Sequence, residues 1–175
     1  MGMSNIIIRT ATIKDAKQIL DLEYEVISEG KYFISVPDEL EKPALRKQKE
    51  WIQSILENEK ETLMVAELNL EVLGWIVFQS NNKKRLSHMG TITMLVGEGH
   101  RGKGIGKMLL KALLAWAENN PFIEKVSLGV FSTNERAISL YRSMGFIEEG
   151  RKVKEFKLSD NEYADDVLMY KLVKE

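Results

Sequence analysis

The sequence predicts an α/β fold: a mixed sheet of about seven strands with about four helices packed on it. Three observations point there. Short apolar or β-branched runs alternate along the 175 residues with stretches at helical spacing. A strand rich in Thr, Ile and Val, at residues 90–96, runs directly into a glycine-rich turn that opens a helix with one apolar face. The resulting order is strand, two helices, three strands, helix, strand, helix, two strands, which suits a mixed sheet covered by helices.

Taking the elements in order, residues 6–9 read as a short apolar strand. Thr12 and Asp15 follow in capping-box spacing before a first helix through Ala16, Ile19, Leu20, Val26 and Ile27. Residues 30–42 read as a surface loop carrying Tyr32 and Phe33. Pro43 then stands at a favourable start for a second helix through Leu45, Trp51, Ile52, Ile55 and Leu56. Residues 63–68 and 72–79 read as two strands joined through Asn69-Leu70-Glu71, where a glycine would have signalled a hairpin more strongly. Residues 80–85 form a polar turn before the strand at 90–96. Ile105, Met108, Leu109, Ala112, Leu113 and Trp116 share one helical face, and Asn119-Asn120-Pro121 ends that run. A strand at 125–131 and a helix at 134–144 follow, with Gly145 where a left-handed cap is wanted. Strands near 146–158 and 163–173, separated by Ser159-Asp160-Asn161, complete the chain. No repeat or interdomain linker is visible, so one domain over residues 1–175 is expected.

Composition narrows the function. With 44% hydrophobic and 29% charged residues the chain can bury a core, and its net charge of −1 leaves no electrostatic footprint for nucleic acid or a membrane surface. Zero cysteines exclude disulfides and thiolate nucleophiles. Two histidines, His88 and His100, are too few for a metal cluster. No basic region followed by an apolar run stands at the N-terminus, and Ile6-Ile7-Ile8 could not span a bilayer, so the default expectation is a cytoplasmic protein acting on a small molecule without a metal.

The turn Arg101-Gly102-Lys103-Gly104-Ile105-Gly106 carries the chemistry. A strand ending in a glycine turn that begins a helix aims several unpaired N–H groups, backed by the helix dipole, at one point. Arg101, Lys103 and Lys107 add positive charge, so an anion such as phosphate fits. Gly97 to Lys103 matches G-x-x-x-x-G-K, but Gly104 stands where a nucleotide-hydrolysing loop needs Ser or Thr for magnesium, and the strand ending at Phe131 is followed by Ser132, not Asp. A dinucleotide fold wants G-x-G-x-x-G, whereas this segment gives G-x-G-x-G, and Glu124 precedes its strand where the ribose-binding acid should follow one. A turn that simply packs remains as a third alternative, although three glycines among three cations exceed what packing needs.

The turn resembles the R-x-x-G-x-G cofactor motif of the GCN5-related N-acetyltransferase family, with the apolar strand Met94-Leu95-Val96 before it. Residues 134–146, from Asn134 through Ala137, Leu140 and Tyr141 to Gly145-Phe146, resemble the family's N-x-x-A-x-x-L-Y-x-x-x-G-F segment. His88-x-Gly90 and Glu162-Tyr163-x-Asp165 are similar to the branch holding ribosomal-protein, amino-acid and antibiotic acetyltransferases. The resemblance implies acetyl-CoA wedged between the fourth and fifth strands, which splay apart. Its pyrophosphate would lie on the turn from Arg101 to Lys107, including Ile105, and its pantetheine arm would pair along Leu95 and Val96. Asn134 would hydrogen-bond the pantetheine side, and a strand N–H would stabilise the oxyanion. Tyr141 would donate to the departing thiolate. A phenol near pKa 10 facing a thiol near 8.5 makes full transfer uphill by roughly 2 kcal/mol, so hydrogen bonding is its main role. An aromatic in register with Ala137, Ile138 and Met144 also reads as core; Asn134 upstream favours the functional reading.

The implied activity is transfer of acetyl from acetyl-CoA to a primary amine of a small molecule or protein N-terminus, by direct attack. A non-catalytic acyl-CoA sensor on the same fold is the alternative. The amine must lose a proton before attack, and no carboxylate lies in the strand Gly90-Thr91-Ile92-Thr93 to take it. Glu25, Glu29, Glu98 and His88 are candidates, and none is assigned. The acceptor would enter beside the 30–42 loop and the last hairpin, where Asp160, Glu162, Asp165 and Asp166 form an acidic group. The acceptor's identity, the use of longer acyl groups and the oligomeric state, a homodimer included, are not encoded legibly.

Overall fold

The computed structural model describes residues 5–39 and 44–175. Pro43 and the end of the loop at Lys42 lie outside the described residues. The strands are β1 (Ile7–Thr10), β2 (Thr62–Leu68), β3 (Glu71–Ser80), β4 (Met89–Val96), β5 (Lys125–Phe131), β6 (Ile147–Ser159) and β7 (Glu162–Leu172). The helices are α1 (Ala16–Ser28), α2 (Leu45–Leu56), α3 (Ile105–Asn119) and α4 (Glu135–Ser143). They follow the predicted order.

One sheet runs β1-β2-β3-β4-β5-β7-β6, antiparallel at every junction except β4 with β5, which are parallel. Helices cover both faces. On one, α1 and α2 bury Ile19, Val26, Ile52 and Ile55 against Val65, Trp75, Val77 and Leu95. On the other, Leu109, Leu110, Leu113 and Leu114 of α3 pack with Ile138 and Tyr141 of α4 against Ile76, Phe78, Val126 and Val167. Those four α3 leucines are at most 4% exposed. Each contributes about 1.5–3 kcal/mol by leaving water, so α3 is fixed by its stripe rather than by end caps.

Local chemistry accounts for the boundaries that differ from expectation. The first α-helix begins at Ala16 because residues 13–15 form a tighter 3₁₀ turn. Asp15 there accepts from the Thr12 N–H at 2.7 Å and from both ends of the Arg9 guanidinium at 2.8 Å, while Arg9 also donates to Glu67 at 3.1 Å. This network ties α1 to β1 and β2. The β2–β3 hairpin turns on two residues, Asn69 and Leu70, both with positive φ (49° and 69°). Gln18 of α1 clasps it, donating to the Leu70 carbonyl at 3.2 Å and accepting from the Val72 N–H at 2.8 Å. Gly145 has the expected left-handed φ of 93°.

The feature that creates a site is the β4–β5 junction. Its ladder pairs Met89 with Lys125, Gly90 with Val126 and Thr91 with Ser127, and goes no further. Beyond Thr91 the two strands diverge as they approach the glycine turn.

Candidate active site

The gap between β4 and β5 opens into a cleft of about 820 Å³. Strand alternation decides which groups face it. Gly97 donates its N–H to the Leu73 carbonyl of β3 at 2.9 Å, and the β3–β4 register has no bulge. With a period of two, the backbone groups of Leu95 also face β3, while those of Ile92, Met94 and Val96 face the gap. The Val96 carbonyl accordingly accepts from Arg101 Nε at 3.0 Å. Leu95, Met94 and Val96 all line the cleft, but Leu95 has its N–H turned toward β3 and its side chain packed with α1 and α2, so the backbone edge facing the gap is that of Met94 and Val96. An apolar run alone did not distinguish the two strand edges.

At the top of the gap, Gly102 and Gly104 have φ of 75° and 80°, and Gly104 is the left-handed residue immediately before α3. Only glycine adopts such angles without cost, and here they let the chain reverse from β4 into the helix. The first helical bond runs from the Met108 N–H to the Gly104 carbonyl at 3.0 Å, and no side chain caps the helix start. The N–H groups of Ile105, Gly106 and Lys107 thus lack helical acceptors and sit at the positive end of the helix dipole. An anion fits them.

Of the expected cations around this turn, Arg101 and Lys107 line the cleft. The Arg101 guanidinium forms a fork with Glu29 at the end of α1, at 2.9 and 2.8 Å. Its charge is met there, and it braces the turn against α1. A further charge overhangs the turn from Arg136 in the first turn of α4: a Cβ placed on Gly102 would lie 2.8 Å from an Arg136 guanidinium nitrogen. Lys103, on the exposed side of the turn, is not among the residues lining the cleft. Arg136 was visible inside the Asn134-Glu135-Arg136-Ala137 segment, but its charge could be brought to Gly102 only by the fold.

Asn134 and Tyr141 both line the cleft. The Asn134 side-chain oxygen accepts from the Ala137 N–H at 3.3 Å, so Asn134 caps α4 and fixes its entry angle. The Tyr141 ring packs edge-on to Phe146 at 5.7 Å and belongs to the core. Its hydroxyl makes no hydrogen bond among the described residues, and burial pushes its pKa up to about 12. The ring thus serves the core, while Tyr141 also borders the cleft.

Of the candidate bases, only Glu29 lines the cleft, and Arg101 occupies it. Glu25 and Glu98 are exposed and do not line the cleft. His88 lies at the far end of β4, where its carbonyl accepts from Glu124. The acidic group of the last hairpin separates too. The Asp160 side chain is fully exposed and Glu162 is exposed, while Asp165 accepts from the Lys154 N–H at 2.8 Å and from Arg151 at 3.3 Å. Asp166 alone of the four enters the cleft, with Tyr32, Phe33, Phe131 and Phe156.

The cleft passes through the sheet. Gly102, Arg136, Ala137 and Tyr141 approach from the side of α3 and α4. Thr93, Phe131 and Asp166 lie on the side of α1 and α2, because alternation puts them opposite Met94, Val130 and Val167, which pack toward α3. A molecule lying in the gap is therefore accessible from both faces. That arrangement suits transfer of a group between two partners.

Comparison with known proteins agrees with this geometry. A Streptococcus pneumoniae GNAT-family acetyltransferase structure superposes with a TM-score of 0.89 at 24% identity, over 95% of this chain and 99% of that one. A Salmonella typhimurium structure described with its cofactor acetyl-CoA superposes with a TM-score of 0.87 at 20% identity, over 98% and 96%. Among curated proteins, an Escherichia coli L-amino acid N-acetyltransferase is 26% identical over 106 residues, 61% of this chain and 65% of that one. The chain spans about half the length of the curated relatives it matches. The model of the acetyltransferase (GNAT) family matches residues 18–146, which include the β4–β5 gap, the glycine turn and α4. On that match and this fold, the chain belongs to the GNAT acetyltransferase family.

Proposed function

We propose that the protein is an N-acetyltransferase that moves acetyl from acetyl-CoA to a primary amine by direct attack in a ternary complex, in the cytoplasm. The observation that carries this reading is the cleft through the sheet, with an anion cradle and the Tyr141 hydroxyl on one face and an open acceptor side on the other.

The residues fit acetyl-CoA. The N–H groups of Ile105, Gly106 and Lys107, with Arg136 and Lys107 as cations, suit a pyrophosphate. The Met94 and Val96 backbone groups suit the amides of a pantetheine arm, offering the ladder that β5 no longer supplies. Acetyl-CoA when bound supplies a thioester carbonyl open to attack by an amine and a thiolate leaving group. The Tyr141 hydroxyl, without a protein partner, donates a hydrogen bond to the developing thiolate. Arg101, held by Glu29, keeps the turn in register with α1 and so with the acceptor loop that follows it. With no cysteine in the chain, transfer does not pass through a cysteinyl acyl-enzyme.

The test is to mix the protein with acetyl-CoA and a panel of amines and follow free thiol. Turnover on at least one amine supports the reading; tight acetyl-CoA binding with no turnover on any amine would assign the cleft to acyl-CoA sensing.

A further inference from the structure

We infer that Asp166 is the carboxylate that receives the acceptor's ammonium group and takes its proton, and that the acceptor is a cationic primary amine with an apolar or aromatic flank. This rests on the acetyltransferase reading for its reaction, though not for its binding site.

The argument begins with elimination. Two carboxylates, Glu29 and Asp166, line the cleft among the described residues. Glu29 is held at both oxygens by Arg101. Asp166 pairs through its backbone with Phe131 and Lys152, while its carboxylate makes no hydrogen bond or ion pair among the described residues. Its placement is also specific. A Cβ on Gly129 would lie 2.7 Å from Asp166 Oδ1, so the carboxylate rests over the bare β5 backbone, in space that any other residue at 129 would fill. Gly129 lies beyond Ser127, in the part of β5 that has left β4, so Asp166 stands beside the gap itself.

The surroundings define the ligand. Phe131, the ladder partner of Asp166, stacks on Phe156 with ring centroids 4.0 Å apart and planes 9° apart, and Tyr32, Phe33 and Ile34 line the same cleft. A carboxylate among aromatic faces attracts a cation through both charge and ring quadrupole, and the apolar walls favour a hydrophobic body attached to it. Desolvation holds the Asp166 carboxyl above the ordinary carboxylate range, with Lys152 opposing and Glu155 reinforcing that shift. A carboxylate shifted in this direction is a stronger proton acceptor than a free one.

The step balances. One ammonium proton passes to Asp166 and later to solvent. The freed nitrogen lone pair forms the C–N bond to the acyl carbon, and the C–S bond breaks with its electron pair on sulfur. A second nitrogen proton ends on that sulfur, giving amide and thiol. Asp166 and Tyr141 act from opposite faces of the sheet, base beside the entering amine and donor beside the leaving sulfur.

The experiment titrates 2-phenylethylamine and its neutral isostere 2-phenylethanol into wild-type protein and Asp166→Asn by calorimetry, without an acyl donor. A tripeptide with N-terminal phenylalanine forms a second arm, separating a peptide N-terminus from a small amine as the source of the ammonium. The expected result is a wild-type preference of at least tenfold for one of these ammonium ligands over the alcohol, abolished in Asp166→Asn while acetyl-CoA affinity stays within twofold. Gly129→Ala, which crowds Oδ1, should lower the same preference. An unchanged preference in Asp166→Asn, or none in the wild type, overturns the inference. Because no acyl donor is used, a protein that selects amines through Asp166 yet turns none over would uphold Asp166 and overturn the transferase reading.

Discussion

Replacing Tyr141 with phenylalanine removes one oxygen from the cleft and leaves the ring that packs against Phe146. Its hydroxyl has no hydrogen-bond partner among the described residues, so stability should change by less than about 0.5 kcal/mol. A melting curve checks that the variant is folded. The effect on turnover follows from acidity. With Tyr141 pushed up to about 12 and a thiol near 8.5, full proton transfer is uphill by roughly 3.5 pKa units, or about 5 kcal/mol. That is steeper than for an unperturbed tyrosine. Complete transfer would therefore cost more than the hydrogen bond returns, and Tyr141 stabilises the departing thiolate as a donor. A hydrogen bond to a charged acceptor is worth about 1.5–3 kcal/mol, which corresponds to a loss of about 10- to 150-fold in kcat for Tyr141→Phe. Thiol release at saturating acetyl-CoA measures it. A kcat within twofold of wild type would refute the donor role.

Two predictions concern stability. Leu70, 83% exposed with φ of 69°, occupies a turn position that favours glycine, so Leu70→Gly should raise stability by about 1 kcal/mol in urea unfolding; a loss would mean that the leucine packs where it looks free. Hydrogen bonds from Arg9 hold the Asp15 carboxyl below its ordinary pKa, which makes its contribution full above the unfolded value near 3.9 and lost as pH falls through the lowered folded value. Asp15→Asn should therefore cost about 2–3 kcal/mol at neutral pH, with the gap to wild type closing below about pH 4; a gap that widens toward acid would contradict the assignment.

The sequence was most legible where one physical signal dominates. The α3 stripe Ile105, Leu109, Leu113 needed only helical periodicity, and Gly104 marked the turn because few other residues tolerate its left-handed backbone. Signals that depend on a distant partner could not be read. Arg101 lines the cleft as its motif position suggests, but its pairing with Glu29, 72 positions earlier, could not be read from the motif, and Arg136 reached the turn from a different helix. Leu95 and Met94 are indistinguishable as apolar neighbours, and only the β3 register says which backbone faces the gap. Asp165 and Asp166 are likewise adjacent acids on one strand. Alternation sends the first carboxylate toward Lys154 and Arg151 of β6, while its own N–H donates to Ser132 Oγ at 2.9 Å, and sends the second into the cleft. The glycine turn was therefore readable from a local motif, whereas the charges around it, the strand edge beside it and the carboxylate across the gap required the sheet.

The central claim is that the β4–β5 cleft holds acetyl-CoA on the α3 helix start. Calorimetric titration of acetyl-CoA into wild-type protein and Arg136→Ala tests it most directly, because Arg136 is exposed and its loss should leave the fold intact. One-to-one binding weakened about tenfold in Arg136→Ala, with an unchanged melting temperature, is the predicted result. Absence of acetyl-CoA binding to the wild type, or equal affinity in both proteins, would contradict it.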